Sequence, residues 1–261
     1  MGRGKKTAVI LVAAALFILF VPLAQAELSA RGDLFVRFKG GIAPSALPRT
    51  KLAPIAVSVA GTVTTLSGER PPALRRIRIE LNRGGRLDPH GLPACRHEQL
   101  VAASPQQVLA ACRDALVGEG AYDAKTAFPE QETFPSEGHI LAFNAVYEGH
   151  SAILAHIYGH DPVPISRIIV FRIHRRGGTF GTVLTGTLPD AVNHYGYVVG
   201  ISLRLFRRFD FHGQSRSYLS AACAAPAGFP SAVFPFARAS MSFADGRTLA
   251  STLTRSCKVS G

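Results

Sequence analysis

Residues 233–258 read VFPFARASMSFADGRTLASTLTRSCK. Two apolar-rich runs, 233–244 and 248–258, are separated here by the dipeptide Asp245-Gly246. An Asp-Gly pair between two strand-like runs is among the strongest local signals for a β-hairpin, because glycine accepts the positive φ of the tight turn. The stretch predicts an antiparallel hairpin and favours a β fold for the rest of the chain.

Apolar and polar residues also alternate with a period of two upstream of this hairpin. Ile77, Ile79 and Leu81 are interleaved with charged residues, as expected of a strand with one buried face. Further strands are predicted at residues 55–64, 141–147, 152–158, 165–174, 179–188, 197–209 and 215–222. About ten short strands with turn residues between them are typical of a mostly β protein with an antiparallel β-sandwich or barrel-like architecture.

One short helix is predicted around residues 105–117. Ser104 is a suitable N-cap, Pro105 suits the first helical position, and Gln107 completes a capping box. Gly118 then marks the predicted end of the helix. A parallel α/β sheet would need repeated helical crossovers, so a single helix favours the antiparallel alternative.

The N-terminal residues have the three parts of a secretory signal peptide. Basic residues at positions 3, 5 and 6 precede an apolar run over 8–21, and Ala24-Gln25-Ala26 supplies a cleavage site. The run is short for a membrane-spanning helix, which needs about 20 apolar residues. We predict a signal peptide at 1–26, with an uncleaved anchor as the alternative, and one β-sandwich-like domain at 27–261. No stable membrane span is expected after cleavage.

The chain has four cysteines, and an even number in an exported protein predicts disulfides. Three pairings can be drawn, and we predict the sequential one, which joins Cys95 to Cys112 and Cys223 to Cys257. None of the spacings is the close Cys-x-x-Cys of zinc or redox sites. The predicted location is therefore secreted or extracytoplasmic, in the cell envelope.

The formal net charge is +12, which suggests an anionic partner. Arg76, Arg78 and Arg204 alternate with apolar residues on predicted strands, so we expect their guanidinium groups to face solvent. Arginines at 172–176 and at 207–208 belong to similar runs. If these strands adjoin in one sheet, they form a basic face that can bind phosphates or carboxylates. The alternative is a solvated surface without a ligand.

Two groups of residues suggest chemistry in weaker ways. His150, His156, His160 and Asp161 could in principle bind a metal ion, but their spacing along a strand favours structural histidines, and no metal is predicted. His212 and Cys223 resemble a base and a thiol nucleophile only loosely, and a disulfide at Cys223 would consume the thiol. An extracellular hydrolase with loops near His150–Asp161 or His212–Cys223 is the alternative function; no catalytic residue or cofactor is predicted.

Several local patterns resemble a family of exported bacterial proteins. The patterns are Leu47-Pro48-Arg49, Leu81-Asn82-Arg83, the run from Gly91 to Cys95, Ser217-Tyr218-Leu219 and the run from Cys223 to Pro230. The family is an uncharacterised one of β-rich proteins, and the resemblance would cover most of the chain after residue 26. It implies secretion and β structure, and it implies no activity.

Taken together, the sequence favours a secreted or envelope protein that acts by binding or scaffolding over an enzyme, with the extracellular hydrolase kept as the alternative. The expected partner is an anionic envelope polymer or a partner protein, including a second copy of the chain. Nucleic acid is not expected among the partners. Adjoining arginine strands would favour the binding protein, whereas histidines and carboxylates converging in a pocket would favour the hydrolase.

Overall fold

A computed structural model describes residues 26–126, 128, 130–159, 164–189 and 196–260. The fold is mostly β and antiparallel, as predicted, and the described residues contain one α-helix, α1 (Pro105–Cys112). The strands are β1 (Glu27–Arg31), β2 (Leu34–Ala43), β3 (Ala46–Leu47), β4 (Ala53–Pro54), β5 (Ala56–Thr65), β6 (Leu74–Asn82), β7 (Gly85–Leu87), β8 (Leu116–Thr126), β9 (Phe134–Tyr147), β10 (His150–Gly159), β11 (Ile165–Arg175), β12 (Phe180–Thr187), β13 (Gly196–Leu205), β14 (Arg208–Phe211), β15 (Gln214–Ser217), β16 (Leu219–Ala221), β17 (Ser231–Phe243) and β18 (Thr248–Val259).

Thirteen of these strands form one large sheet that curls into a half-barrel. Its order is β1-β2-β5-β13-β8-β9-β10-β11-β12-β6-β17-β18-β3. Neighbours in the sheet are antiparallel except β18 and β3, which are parallel. A small sheet, β4-β16-β7, packs at one end, and β14 and β15 form a separate hairpin. The barrel-like form of the predicted architecture is therefore confirmed.

The concave face of the large sheet holds the main hydrophobic core. Leu34, Val36, Ile77, Ile153 and Leu253 are among its buried residues, contributed by four different strands. On β6 the alternation turns Ile77 and Ile79 inward and the intervening residues outward. Burial of these aliphatic side chains is the main stabilising contribution of the sheet, at about 25 cal/mol per Å² of apolar surface removed from water.

The convex face is covered over β9, β10 and β11 by the segment that contains α1. Leu100 and Val108 of this segment are fully buried and pack against Phe143 and Leu154 of the sheet. The Ser104 hydroxyl accepts a hydrogen bond from the Gln107 backbone N–H, and the Gln107 side chain accepts one from the Ser104 N–H. The predicted capping box is therefore confirmed.

The helix is shorter than the predicted 105–117. It ends at Cys112, a single 3₁₀ turn follows at Arg113–Ala115, and β8 begins at Leu116. Gly118, predicted to stop the helix, lies inside β8. A Cβ at this position would lie 2.5 Å from the carbonyl oxygen of Arg204. Because Gly118 has no side chain, β8 and β13 can approach closely there. This role differs from the predicted one of ending the helix.

Both disulfides are present with the predicted pairing. Cys95 and Cys112 have Cα atoms 5.5 Å apart, and those of Cys223 and Cys257 are 5.7 Å apart. The first bond attaches the end of α1 to the loop before it, and the second attaches the segment after β16 to β18. Because disulfides persist in oxidising compartments, the two bonds indicate an extracytoplasmic location.

The predicted signal peptide at 1–26 lies outside the described residues except for Ala26. Among the helices of the described ranges, none is long and apolar enough to span a membrane.

Candidate functional site

Arginines from three neighbouring regions of the sheet gather on its convex face. β6 carries Arg76 and Arg78, β17 carries Arg238, and β11 carries Arg172 and is followed directly by Arg176. Strand β12 is the single strand between β11 and β6, and β17 lies on the other side of β6. We call these five residues the basic face.

The sheet register places hydroxyl groups between the arginines. Arg78 lies opposite Thr185 of β12 and Ser240 of β17, and Thr185 in turn lies opposite Arg172 of β11. Two residues along β6 on the same face, Arg76 lies between Thr187 and Ser242. Guanidinium groups and hydroxyls therefore alternate across four strands. Both kinds of donor bind phosphate and carboxylate oxygens.

Glu80 organises the centre of the basic face. Its side chain is only 9% exposed, and its carboxylate is 2.9 Å from Arg78 Nη2, 3.5 Å from Arg176 Nη1 and 3.9 Å from Arg238 Nε. A buried carboxylate needs compensating charge, and three arginines supply more than one carboxylate requires. The arginines are thus drawn together around Glu80 while the positive charge remains in excess. Arg176 keeps 64% of its side chain exposed to solvent.

Arg172 lies at the border between the basic face and the α1 cover. Its Nη2 is ion-paired with Oε2 of Glu148, and its guanidinium lies 5.7 Å from the centroid of the Tyr147 ring. The ring and the carboxylate hold the side chain in place on the side where the cover begins. This arrangement reduces the conformational freedom that Arg172 would lose on binding an anion.

The structure brings Arg76 and Arg78 together and does not bring Arg204 to them. Arg204 lies on β13, which is six strands from β6 in the order of the sheet. It is also on the convex side, but it lines a shallow depression of about 670 Å³ together with Lys39 and Glu119. Its guanidinium lies 4.5 Å from the centroid of the Phe206 ring. Arg204 is therefore outside the basic face.

Arg238 is the member of the basic face that sequence reasoning missed. The signal was available, because Ala237, Ala239 and Met241 alternate with Arg238, Ser240 and Ser242 within the predicted strand. The pairing of β17 with β6 joins residues about 160 positions apart in the chain. That pairing cannot be read from local alternation.

The residues around His150–Asp161 form two separate local structures. His150 Nδ1 is 2.8 Å from the carbonyl oxygen of Glu148, at the turn between β9 and β10. His156 is buried, and its Nε2 is 3.0 Å from the carbonyl oxygen of Ala103 and 3.0 Å from the hydroxyl of Ser166. Residues 160 and 161 lie outside the described residues. Within the described ranges, no three His, Cys, Asp or Glu residues are grouped to hold a metal ion.

His156 attaches the segment before α1 to the sheet. With Nε2–H donating to the Ala103 carbonyl, Nδ1 carries the lone pair, and it is buried without a hydrogen-bond partner in the described part of the chain. Burial lowers the pKa of His156 below its ordinary value, and the hydrogen bond to Ala103 opposes this only in part. The neutral imidazole is the form that fits this site.

The arrangement at His212 and Cys223 differs from that of a thiol nucleophile and its base. Cys223 is fully buried, and its sulfur is bonded to that of Cys257. His212 lies at the turn between β14 and β15 with a φ of 51°. The thiolate that such a mechanism needs is therefore not available at Cys223 while the disulfide is intact.

Comparisons with protein-family models, with curated proteins and with solved structures found no match to this chain. The resemblance to exported β-rich proteins stays a prediction.

Proposed function

We propose that this protein is an extracytoplasmic binding protein whose basic face holds an anionic polymer of the cell envelope. The observation that carries the proposal is the collection of five arginines, separated by threonine and serine, on neighbouring strands, three of them around the buried carboxylate of Glu80. Arginine in this setting favours phosphate or carboxylate groups, because its planar fork of donors matches two oxygens at once.

The spacing of the donors favours a repeating ligand. Neighbouring strands lie about 4.8 Å apart, so Arg172 and Arg78, which are two strands apart, have backbones separated by about 10 Å. Arg76 and Arg78 are about 7 Å apart along one strand by the same geometry. A single small anion would reach one or two of these guanidinium groups. A polymer with charges at intervals of several ångströms can contact the whole face.

An envelope location is proposed on two grounds. The disulfides indicate an oxidising compartment. The pattern of residues 1–26 is that of a signal peptide that directs export. Both grounds support the choice of an envelope polymer over an intracellular polyanion such as nucleic acid.

Retention on immobilised polyphosphate and on polygalacturonate, measured over a range of salt concentrations, tests the proposal. In the variant R76Q/R172Q/R238Q we expect affinity to fall at least about tenfold and the dependence on salt to become shallower, because fewer counterions are released on binding. The control R37Q/R204Q/R208Q loses the same formal charge from exposed arginines outside the basic face. Equal retention of the two variants would overturn the assignment of the basic face.

A further inference from the structure

A cavity of about 140 Å³ lies at the end of the half-barrel that is covered by the small sheet β4-β16-β7. Its wall is largely apolar and includes Leu47, Ile55, Leu81 and Phe236. An engineered cavity of about 150 Å³ with a similar lining stays dry and binds benzene. The cavity therefore has room for an apolar group of about six carbon atoms.

The cavity adjoins an open depression of about 460 Å³ that contains three arginines, Arg83, Arg86 and Arg175. Gly84, Gly85, Arg86 and Thr182 line both spaces, so these residues form the boundary between the apolar interior and the charged opening. Arg86 is ion-paired with Asp88, whose Oδ2 lies 3.3 Å from Arg86 Nη2. Three positive charges against one negative charge leave the opening with an excess of positive charge.

The three arginines differ in their contacts with the rest of the protein. Arg175 donates to the Thr182 hydroxyl at 2.7 Å and also to the carbonyl oxygen of Leu87, so it is engaged in holding β7 against β12. Arg83 and Arg86 are exposed to solvent at the rim. Their guanidinium groups are the ones that a ligand can recruit without breaking the contacts of Arg175.

We propose that this site binds a small amphiphilic anion, with an apolar group of about six carbons in the cavity and a carboxylate or phosphate at Arg83 and Arg86. The volume of the cavity determines the size of the ligand's apolar group, and the positive charge of the opening favours a negatively charged head group. The site uses none of the residues of the basic face, so the proposal does not depend on the proposed function.

Titration of the protein with four ligands tests the proposal, with the methyl resonances of Leu47, Ile55, Leu81, Leu87 and Leu219 as the readout. We expect hexanoate and hexyl phosphate to shift these resonances and to bind at least about tenfold more tightly than hexan-1-ol or hexylammonium, since a charge-assisted hydrogen bond contributes about that factor. Equal affinities for the anions and the alcohol would overturn the assignment of the head group. An absence of shifts with every ligand would overturn the site itself.

Variants separate the two halves of the site. R83Q/R86Q should remove the preference for anions and leave the affinity for hexan-1-ol within about twofold, whereas R204Q, outside the site, should change neither. Ala221 lines the cavity, and Ala221→Leu should abolish binding of all four ligands by filling it. If Ala221→Leu does not fold, the affinities of the four ligands and the effect of R83Q/R86Q still test the proposal. An unchanged preference for anions in R83Q/R86Q would contradict the proposal.

A membrane lipid also combines an anionic head group with apolar chains, and an experiment with lipid vesicles distinguishes it from a small free ligand. Two long acyl chains exceed a cavity of about 140 Å³. We therefore expect vesicles of phosphatidylglycerol to leave the cavity methyl resonances unshifted while hexanoate shifts them. Shifts caused by vesicles and not by hexanoate would overturn the small-ligand assignment.

Discussion

Arg255 on β18 donates a hydrogen bond from Nη1 to Oε1 of Glu27 on β1 at 3.0 Å. The two strands belong to opposite ends of the thirteen-stranded sheet. Arg255 Nε also donates to the carbonyl oxygen of Gly40 on β2, at 2.6 Å. Both charged side chains are largely buried, with 15% of Arg255 and 24% of Glu27 exposed. Side chains therefore join the two ends of the half-barrel.

Arg255→Met should lower the free energy of unfolding by about 2 kcal/mol, because it leaves the Glu27 carboxylate partly buried without this partner. Denaturant unfolding with both disulfides intact measures the change. The double variant E27Q/R255M should recover part of the loss. Arg208→Met, at an exposed position, is the control and should cost less than about 0.5 kcal/mol. A stability of R255M equal to that of the wild type would show that the pair does not hold the sheet ends together.

Stability should fall as the pH is lowered from 7 to 5, in part because of His156. The pKa of His156 is lowered in the folded state by burial, whereas in the unfolded chain it is about 6.5. As the pH falls through 6.5 the unfolded chain takes up a proton first, and the folded state loses stability until its own lower pKa is reached. His156→Gln should make the profile shallower.

His150→Gln is the matched control for this pH dependence. His150 lies on the same strand, but it is exposed and contacts the carbonyl oxygen of Glu148. Its substitution should leave the slope between pH 7 and pH 5 as it is in the wild type. If His156→Gln and His150→Gln give the same slope, the loss of stability in acid has its origin elsewhere.

Tyr122 covers glycines on two neighbouring strands, and this contact can be tested by a double-mutant cycle. A Cβ at Gly159 would lie 2.1 Å from the Tyr122 hydroxyl oxygen, with the other nearest atoms at 3.3 Å or more. Gly159→Ala should therefore cost about 2 kcal/mol in the wild type and less in a Tyr122→Phe background. Gly41→Ala, with no atom within 4 Å of the added Cβ, should have little effect. If Gly159→Ala costs as much in the Tyr122→Phe background as in the wild type, the contact between Tyr122 and position 159 is ruled out.

The Cys223–Cys257 disulfide should stabilise the protein more than the Cys95–Cys112 disulfide. The bonds span 34 and 17 residues, and chain entropy assigns them about 4 and 3 kcal/mol. Cys257 also lies on β18, which is held at its outer edge by the short strand β3. Thermal unfolding of C223S/C257S and C95S/C112S compares them directly. A larger loss in C95S/C112S would mean that the cover over the convex face contributes more than the C-terminal strand.

We predict that the secreted protein begins at Glu27. Cleavage after Ala26 fits the small residues at 24 and 26, and it would leave strand β1, which starts at Glu27, complete. Intact-mass measurement of material from the culture medium or the envelope tests this. A mass that retains residues 1–26 would instead support the uncleaved anchor.

The strands predicted from the sequence have a clear alternation of apolar and polar residues. Strand β8 was not predicted, because it lacks this alternation for a physical reason. In β8 the inward positions include Gly118, Gly120 and Tyr122. A Cβ at Gly120 would lie 2.0 Å from the carbonyl oxygen of Ser202 on β13, so the backbones of β8 and β13 approach too closely there for a larger residue. The resulting pattern, LVGEGAYDAKT, resembles a loop more than a strand.

Strand β2 was missed although its pattern was regular. Leu34, Val36 and Phe38 are buried and alternate with more exposed residues. The predicted strand at 215–222 is in fact two short strands, β15 and β16, in different sheets. The inward and outward faces of β6 were predicted because they depend on local alternation, and the sequential disulfide pairing was predicted as one of three that can be drawn. The order of strands depends on contacts across the whole chain, and it is this order that separates Arg204 from the basic face.

The side-chain connection between the sheet ends also bears on association between molecules. An unpaired strand edge can be extended by a strand of another copy, and charged residues at such an edge oppose this. β3 pairs with β18 only at Lys258 and Val259. Arg255 lies on β18, and Arg247, with its ion pair to Asp33, lies in the turn immediately before this strand. We expect the same charges that join the ends of the half-barrel to oppose edge-to-edge association of the protein.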